Sequence, residues 1–75
     1  MNYHSHKNRD EIWVITSGRG VTIVDGMEQS VSTGDVITMQ AGCRHVIKAD
    51  TDLELIEIQL GKDISEDDKM RYNLE

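Results

Sequence analysis

The sequence contains no proline and no phenylalanine, and only one cysteine and one tryptophan among its 75 residues. A single thiol, Cys43, excludes an intrachain disulfide, so a domain this small is expected to draw stability from a metal or a partner chain. Cys43 itself reads as a turn or core thiol, with no neighbouring pattern of a nucleophile. No apolar run approaches the roughly 20 residues of a membrane-spanning helix, and no charged-then-apolar signal segment precedes the first polar stretch. These absences predict one domain over residues 1–75, in the cytoplasm and away from membranes. Basic residues are also scarce, with 8 Lys and Arg against 14 Asp and Glu and a net charge of −6. That balance, with no basic stripe, excludes a nucleic-acid backbone as partner. A single sugar phosphate stays open as a ligand, because two or three local cations suffice for it.

What the chain does contain is a dense series of turn signals: SGRG at 17–20, DG at 25–26, TGD at 33–35, AG at 41–42 and LG at 60–61. Between them lie short runs rich in Val, Ile and Thr, namely EIWVIT, VTIV, DVITM, HVIKA and LELIEIQL. Short β-prone runs at this spacing predict an all-β sandwich or barrel. VTIVDGMEQSV predicts a hairpin turning on Asp25 and Gly26. In LELIEIQL, Leu53 and Leu55 share one face while Ile56, Ile58 and Leu60 share the other, and a strand apolar on both faces is normally covered on both. The tail from Ser65 predicts either a short helix, with Ser65 as N-cap and acids in its first turn, or an extended segment.

The three histidines carry the chemistry. His4 and His6 are two apart, so on a strand they point to one face. Glu11 opens the next strand after a polar connection, and His45 opens a later one beyond the turn AGCR. In a closed sheet these strand ends can converge. Three imidazoles and one carboxylate suit Zn, Mn, Fe, Ni or Co without choosing among them. Taken alone, the His4–His6 pair reads equally as a solvated terminus. Trp13 shares the parity of Glu11 and reads as core ahead of a sugar platform.

HSHKNRDEIWVITSG spells His-x-His, four residues, Glu, six residues, Gly, through His4, His6, Glu11 and Gly18. GDVITMQAGCRH spells Gly, five residues, a position usually Pro, one residue, Gly, two residues, His, through Gly34, Gln40, Gly42 and His45. These resemble the two motifs of the cupin superfamily, in order and at the right spacing, with departures at Gln40 and at Ala49, which is usually Asn. The resemblance implies a small jelly-roll β-barrel with His4, His6, Glu11 and His45 as ligands of a divalent metal ion.

Over nearly the whole chain, the sequence is similar to the C-terminal cupin domain of type II mannose-6-phosphate isomerases, which often follows a mannose-1-phosphate guanylyltransferase. Arg9, Glu11 and Trp13 carry that match, with Ile56, Glu57, Gln59, Gly61 and the run Glu66 to Asp68. Members commonly carry Gln at the position of His4, and His at those of Asn8 and Ile12. This resemblance implies interconversion of mannose 6-phosphate and fructose 6-phosphate through a metal-stabilised enediolate. Glu11 would be a candidate base, and Arg9, Lys48 and Arg71 candidate phosphate contacts. Two other readings remain open: a non-catalytic metal- or sugar-binding module, and a metal-dependent dioxygenase. Family members have further strands before the first motif, so the barrel is expected to be cut short at its N-terminus and to form a homodimer that covers exposed edges or apolar outer faces.

Overall fold

The alternation of Glu11, Trp13 and Ile15 with Ile12, Val14 and Thr16 sends every second side chain of one run inward, and that run is the central strand of the smaller of two sheets. A computed structural model describes residues 2–73. Eight strands follow in order: β1 (His4–Ser5), β2 (Asp10–Ser17), β3 (Arg19–Val24), β4 (Met27–Ser32), β5 (Val36–Met39), β6 (His45–Ala49), β7 (Glu54–Leu60) and β8 (Met70–Arg71). They form a five-stranded sheet, β4-β3-β6-β1-β8, and a three-stranded sheet, β5-β2-β7. Every pairing described is antiparallel.

The β3–β4 hairpin turns where expected, with Val24 opposite Met27 and both turn residues at positive φ, 47° for Asp25 and 81° for Gly26. Two consecutive left-handed residues match the twist of the flanking strands, which is why Asp-Gly is favoured there. Gly18, between β2 and β3, has φ +88°, and a Cβ on it would lie 2.0 Å from the carbonyl oxygen of Asp52. Only glycine lets the chain pass so close to the β6–β7 connection.

Trp13, Ile15, Val31, Met39 and Ile47 are buried together between the sheets, flanked by Val24, Ile37, Cys43, Leu53 and Leu55. This apolar cluster fills one end of the interior. The other end, bounded by β1, the start of β2 and the start of β6, holds buried polar side chains instead: His4, His6, Glu11 and His45. Trp13, fully buried, stands between the two regions with its ring 5.4 Å from that of His45.

Of the two readings of the segment from Ser65, the helix does not form and the extended tail does. Ser65 does accept a hydrogen bond through its hydroxyl, from the Asp67 amide at 3.2 Å, but the chain makes a single turn and leaves it. The competing interaction is long-range. The Asp68 carboxylate accepts from the amides of Lys7 at 2.8 Å and Asn8 at 2.7 Å, pulling the tail across the N-terminal segment. The β8 strand then pairs with β1, setting His4 opposite Arg71, and the Tyr72 amide donates to the Tyr3 carbonyl at 2.8 Å. The Arg44 guanidinium lies 3.9 Å from the centre of the Tyr72 ring and clamps the tail from β6's side. The strand bearing His4, with His6 directly after it, is thus held between β6 and β8 of the same chain. Among the described residues no helix is long and apolar enough to cross a membrane.

Candidate metal centre

His4 and His45 face one another across the β1–β6 pairing, so their side chains leave the same face of the larger sheet. His6 follows on that face, and Glu11 reaches in from β2 of the opposite sheet. The rings pack closely, with centroids 4.4 Å apart for His4 and His45, 4.8 Å for His4 and His6, and 5.4 Å for His6 and His45. One potential ligand atom from each of the four residues lies within 4.8 Å of all the others. The structure therefore brings together all four residues expected from the sequence.

Each ring is oriented by its outer nitrogen. Nδ1 of His45 donates to the Cys43 carbonyl at 3.0 Å, Nδ1 of His6 to the Asp68 carbonyl at 2.6 Å, and Nδ1 of His4 to the Asn2 carbonyl. A carbonyl oxygen only accepts, so each Nδ1 carries a proton and Nε2 is the ring atom left to face the other residues of the cluster. Burial pushes the His45 imidazole below its ordinary range; the Cys43 carbonyl and Glu11 oppose this and His6 adds to it. Burial likewise lowers His4, against the pull of the Asn2 carbonyl and with the help of His45, Lys69 and His6. Both rings are held neutral, the form that ligates metal.

Glu11 is divided between two neighbours. Its Oε2 accepts from Arg9 Nε at 2.9 Å, while Oε1 lies 2.9 Å from His45 Nε2 and 3.5 Å from His6 Nε2. The Oε1–His45 contact joins a carboxylate to an imidazole, yet both atoms are buried without a hydrogen-bond partner. With Nδ1 donating to the Cys43 carbonyl, neutral His45 turns a lone pair on Nε2 toward Oε1, and two acceptors at 2.9 Å repel. A cation among these atoms would turn that repulsion into coordination. Three imidazole nitrogens and one carboxylate oxygen, with their outer atoms anchored, fit a divalent metal ion.

The remaining expected contacts divide. Arg9 is at the centre, but its guanidinium is committed to Glu11, to the Ser65 carbonyl at 3.1 Å, and to a position 3.3 Å from His6 Nε2. Arg71 is exposed opposite His4, on the same sheet face. Lys48 alternates with Ile47 and Ala49 on β6, so it is exposed on the sheet face away from His45 and is not brought to the centre. Two residues near the site were given no site role from the sequence. Lys69, two before Arg71, is close enough to depress His4 electrostatically. Glu57, opposite Trp13 on β7, accepts from the Trp13 indole at 2.8 Å and from Gln59 at 3.0 Å. Burial alone would raise Glu57; those two hydrogen bonds, with Arg9 and His45 nearby, outweigh it and hold the carboxyl below its ordinary range. The signal was present in the alternation Leu53, Leu55, Glu57, Gln59, which continues the inward face of LELIEIQL past its last apolar residue.

Two facing antiparallel sheets around a centre of three histidines and one glutamate define a small jelly-roll fold with a metal-compatible cluster inside it. A family model described as a cupin domain matches residues 1–59, and the chain belongs to that family. It is 34% identical over 74 residues to a protein assigned as a mannose-1-phosphate guanylyltransferase in Vibrio cholerae, covering 96% of this chain and 15% of that protein. It is 27% identical over 74 residues to the mannose-1-phosphate guanylyltransferase of Escherichia coli, covering 96% of this chain and 16% of the enzyme. The chain thus spans about a sixth of the length of these relatives. Among solved structures, a cupin protein of Bacteroides fragilis superposes with a TM-score of 0.75 at 28% identity, over 88% of this chain and 58% of that one. A protein assigned as a sugar phosphate isomerase in Acidithiobacillus ferrooxidans shares the fold, with a TM-score of 0.66 at 22% identity over 84% of this chain and 41% of that one.

Proposed function

We propose that this cupin domain holds a divalent metal ion through His4, His6, Glu11 and His45 and isomerises a sugar phosphate of the mannose 6-phosphate and fructose 6-phosphate type. The observation that carries the metal is the buried pair Glu11 Oε1 and His45 Nε2, 2.9 Å apart with neither atom making a hydrogen bond. The sugar class rests on the two curated relatives, both named for mannose 1-phosphate, and on the Arg9, Glu11 and Trp13 pattern. Guanylyl transfer itself is not proposed for this domain, which matches only 15–16% of those proteins.

Bound at this centre, a divalent cation supplies electrophilic stabilisation to the oxygens on C1 and C2 of the sugar. Lys69 and Arg71, alternate residues beside His4, supply positive charge for the phosphate. Glu11 is a poor base, because one oxygen faces the ligand cluster and Arg9 holds the other. Glu57 is the proposed base in its place: an ionised carboxylate on the inward face of β7, fixed by the Trp13 indole. Its oxygen takes the proton from C2 of the aldose, and the C–H electron pair becomes the C1–C2 double bond of a cis-enediol. The carbonyl oxygen at C1 gains a proton as the C2 hydroxyl loses one, and Glu57 returns its proton to C1 to give the ketose.

The test is metal analysis of the purified protein together with a coupled mannose 6-phosphate isomerase assay, with and without added metal. Metal-dependent turnover is expected, abolished by His45→Ala along with metal content. Glu57→Gln is expected to lower kcat by about a hundredfold or more while metal content is retained. Metal bound without any turnover would establish the non-catalytic binding module instead.

A further inference from the structure

Residues 65–72 lie along the surface, and all of them are exposed except Asp68 and Tyr72, which are half-buried. What holds this tail is polar. A segment with few buried apolar contacts opens locally, at a lower free energy than the domain as a whole. Its hydrogen bonds are nevertheless concentrated on residues 6–9, a stretch that holds His6 and the arginine bound to Glu11.

Asp68 grips that stretch with both its backbone and its side chain. Its carbonyl accepts from His6 Nδ1 at 2.6 Å, while its carboxylate accepts from the Lys7 and Asn8 amides at 2.8 and 2.7 Å. Three residues earlier, the Ser65 carbonyl accepts from Arg9 Nη1 at 3.1 Å, and Arg9 Nε holds Oε2 of Glu11 at 2.9 Å. The tail therefore touches one residue of the centre directly and a second through its arginine. Tyr72 anchors the far end, away from the centre, against the Tyr3 carbonyl, the Ser5 hydroxyl and the Arg44 guanidinium.

We propose that residues 65–72 form a metal-responsive strap: a cation at the centre closes it over residues 6–9, and the closed strap raises affinity for the cation. The inference rests on the metal of the proposed function and not on the isomerase chemistry. A cation on Nε2 of His6 draws electron density from the ring, which makes Nδ1–H a stronger donor to the Asp68 carbonyl. The same bond fixes the orientation of the ring and raises the basicity of Nε2. An open strap frees the His6 ring to rotate and removes one anchor of Arg9, so the ligands are held more loosely. Such coupling is reciprocal: the factor by which metal favours closure is the factor by which closure favours metal. A factor of about ten- to a hundredfold is expected, the range for outer partners of a ligand.

The experiment is amide hydrogen exchange of the full chain by NMR, with zinc, which is diamagnetic, and with excess chelator. With chelator, the Lys7, Asn8 and Tyr72 amides are expected to exchange faster than those of β6, inside the larger sheet. Zinc is expected to slow them by about ten- to a hundredfold. A strap that opened without affecting the centre would show no change, because each opening would leave the metal bound. Asp68→Ala is expected to lower zinc affinity about tenfold in chelator competition, with the fold confirmed by far-UV circular dichroism. Tyr72→Ala leaves the charge near the centre unaltered and loosens only the far anchor, and it is expected to lower affinity in the same direction. His45→Ala is expected to remove the effect of zinc on the strap amides. Strap amides as protected as β6 with chelator, or unmoved by bound zinc, overturn the proposal in the wild type alone. Zinc affinity unchanged by both substitutions overturns it as well. Failure of zinc to bind at all overturns the metal reading too, whereas binding with unmoved strap amides overturns the strap alone.

Discussion

Arg9 donates from Nε to Oε2 of Glu11, two residues further along the chain, at 2.9 Å, and this one bond decides which oxygen of the glutamate faces the histidines. With Oε2 occupied, only Oε1 is presented to His6 and His45. The arginine thus acts on the centre through its ligand.

Arg9→Ala is expected to lower divalent-metal affinity by about ten- to a hundredfold, the usual range for losing an outer partner of a ligand. Removing a nearby positive charge pulls the other way, so Arg9→Lys separates the two effects. Lysine keeps the charge without the planar donor fork, and a positioning role predicts a loss of affinity there as well. Competition titration against a chromophoric chelator reads both; affinity raised by Arg9→Ala would show that charge repulsion is the larger effect.

Metal binding is expected to raise thermal stability, because the unfolded chain has no preformed centre. At a free metal concentration of a hundred times Kd the gain is about 2.7 kcal/mol, which for a domain of this size corresponds to a shift in Tm of about 10 °C or more. Calorimetry with metal and with excess chelator measures it. His45→Ala is expected to erase the difference between the two conditions.

Glu57 predicts a pH response at the low end. Its carboxyl titrates below the ordinary value of 4.5 in the folded protein, so its contribution to stability is present above that value and is lost as pH falls through the lowered folded pKa. Trp13 is the only tryptophan and donates directly to Glu57, so its fluorescence reports the change. A titration step below pH 4.5 is expected in the wild type and absent from Glu57→Gln; an identical step in both would assign it to other groups.

Gly18→Ala is expected to cost about 3 kcal/mol or more, from the left-handed conformation together with a methyl driven onto the Asp52 carbonyl. Gly34 provides the control: its φ is +93°, but nothing lies within 4 Å of the added carbon, so Gly34→Ala is expected to cost about 1–2 kcal/mol. Urea unfolding of the two variants compares them directly. Equal costs would mean that the contact at Asp52 is relieved by backbone movement.

Much of the centre was legible because short strands carry position in their spacing. His4 and His6 share a face by their separation of two, and Glu11 and His45 each begin a strand after a recognisable turn. The Asp25–Gly26 hairpin was legible for a similar local reason. The tail at Ser65 was legible only as two alternatives, because its capping signal is real but loses to Asp68, whose partners Lys7 and Asn8 lie 61 and 60 residues away. Arg9 and Lys48 looked alike as scattered cations; only the packing shows that one is bound to Glu11 and the other faces away.

The sequence by itself determined the strand periodicity and the turns, and with them where His4, His6, Glu11 and His45 sit on their strands, because each depends on residues within a few positions of one another. Only the tertiary structure decided that the terminal histidine strand is held in place, since the tail that holds it comes from the opposite end of the chain. Tertiary structure also decided which atom of each ligand faces inward. The Nδ1 protons are fixed by carbonyls of Asn2, Cys43 and Asp68, and Glu11 by Arg9. Residue types name potential ligands; the hydrogen bonds around them direct four lone pairs to one point.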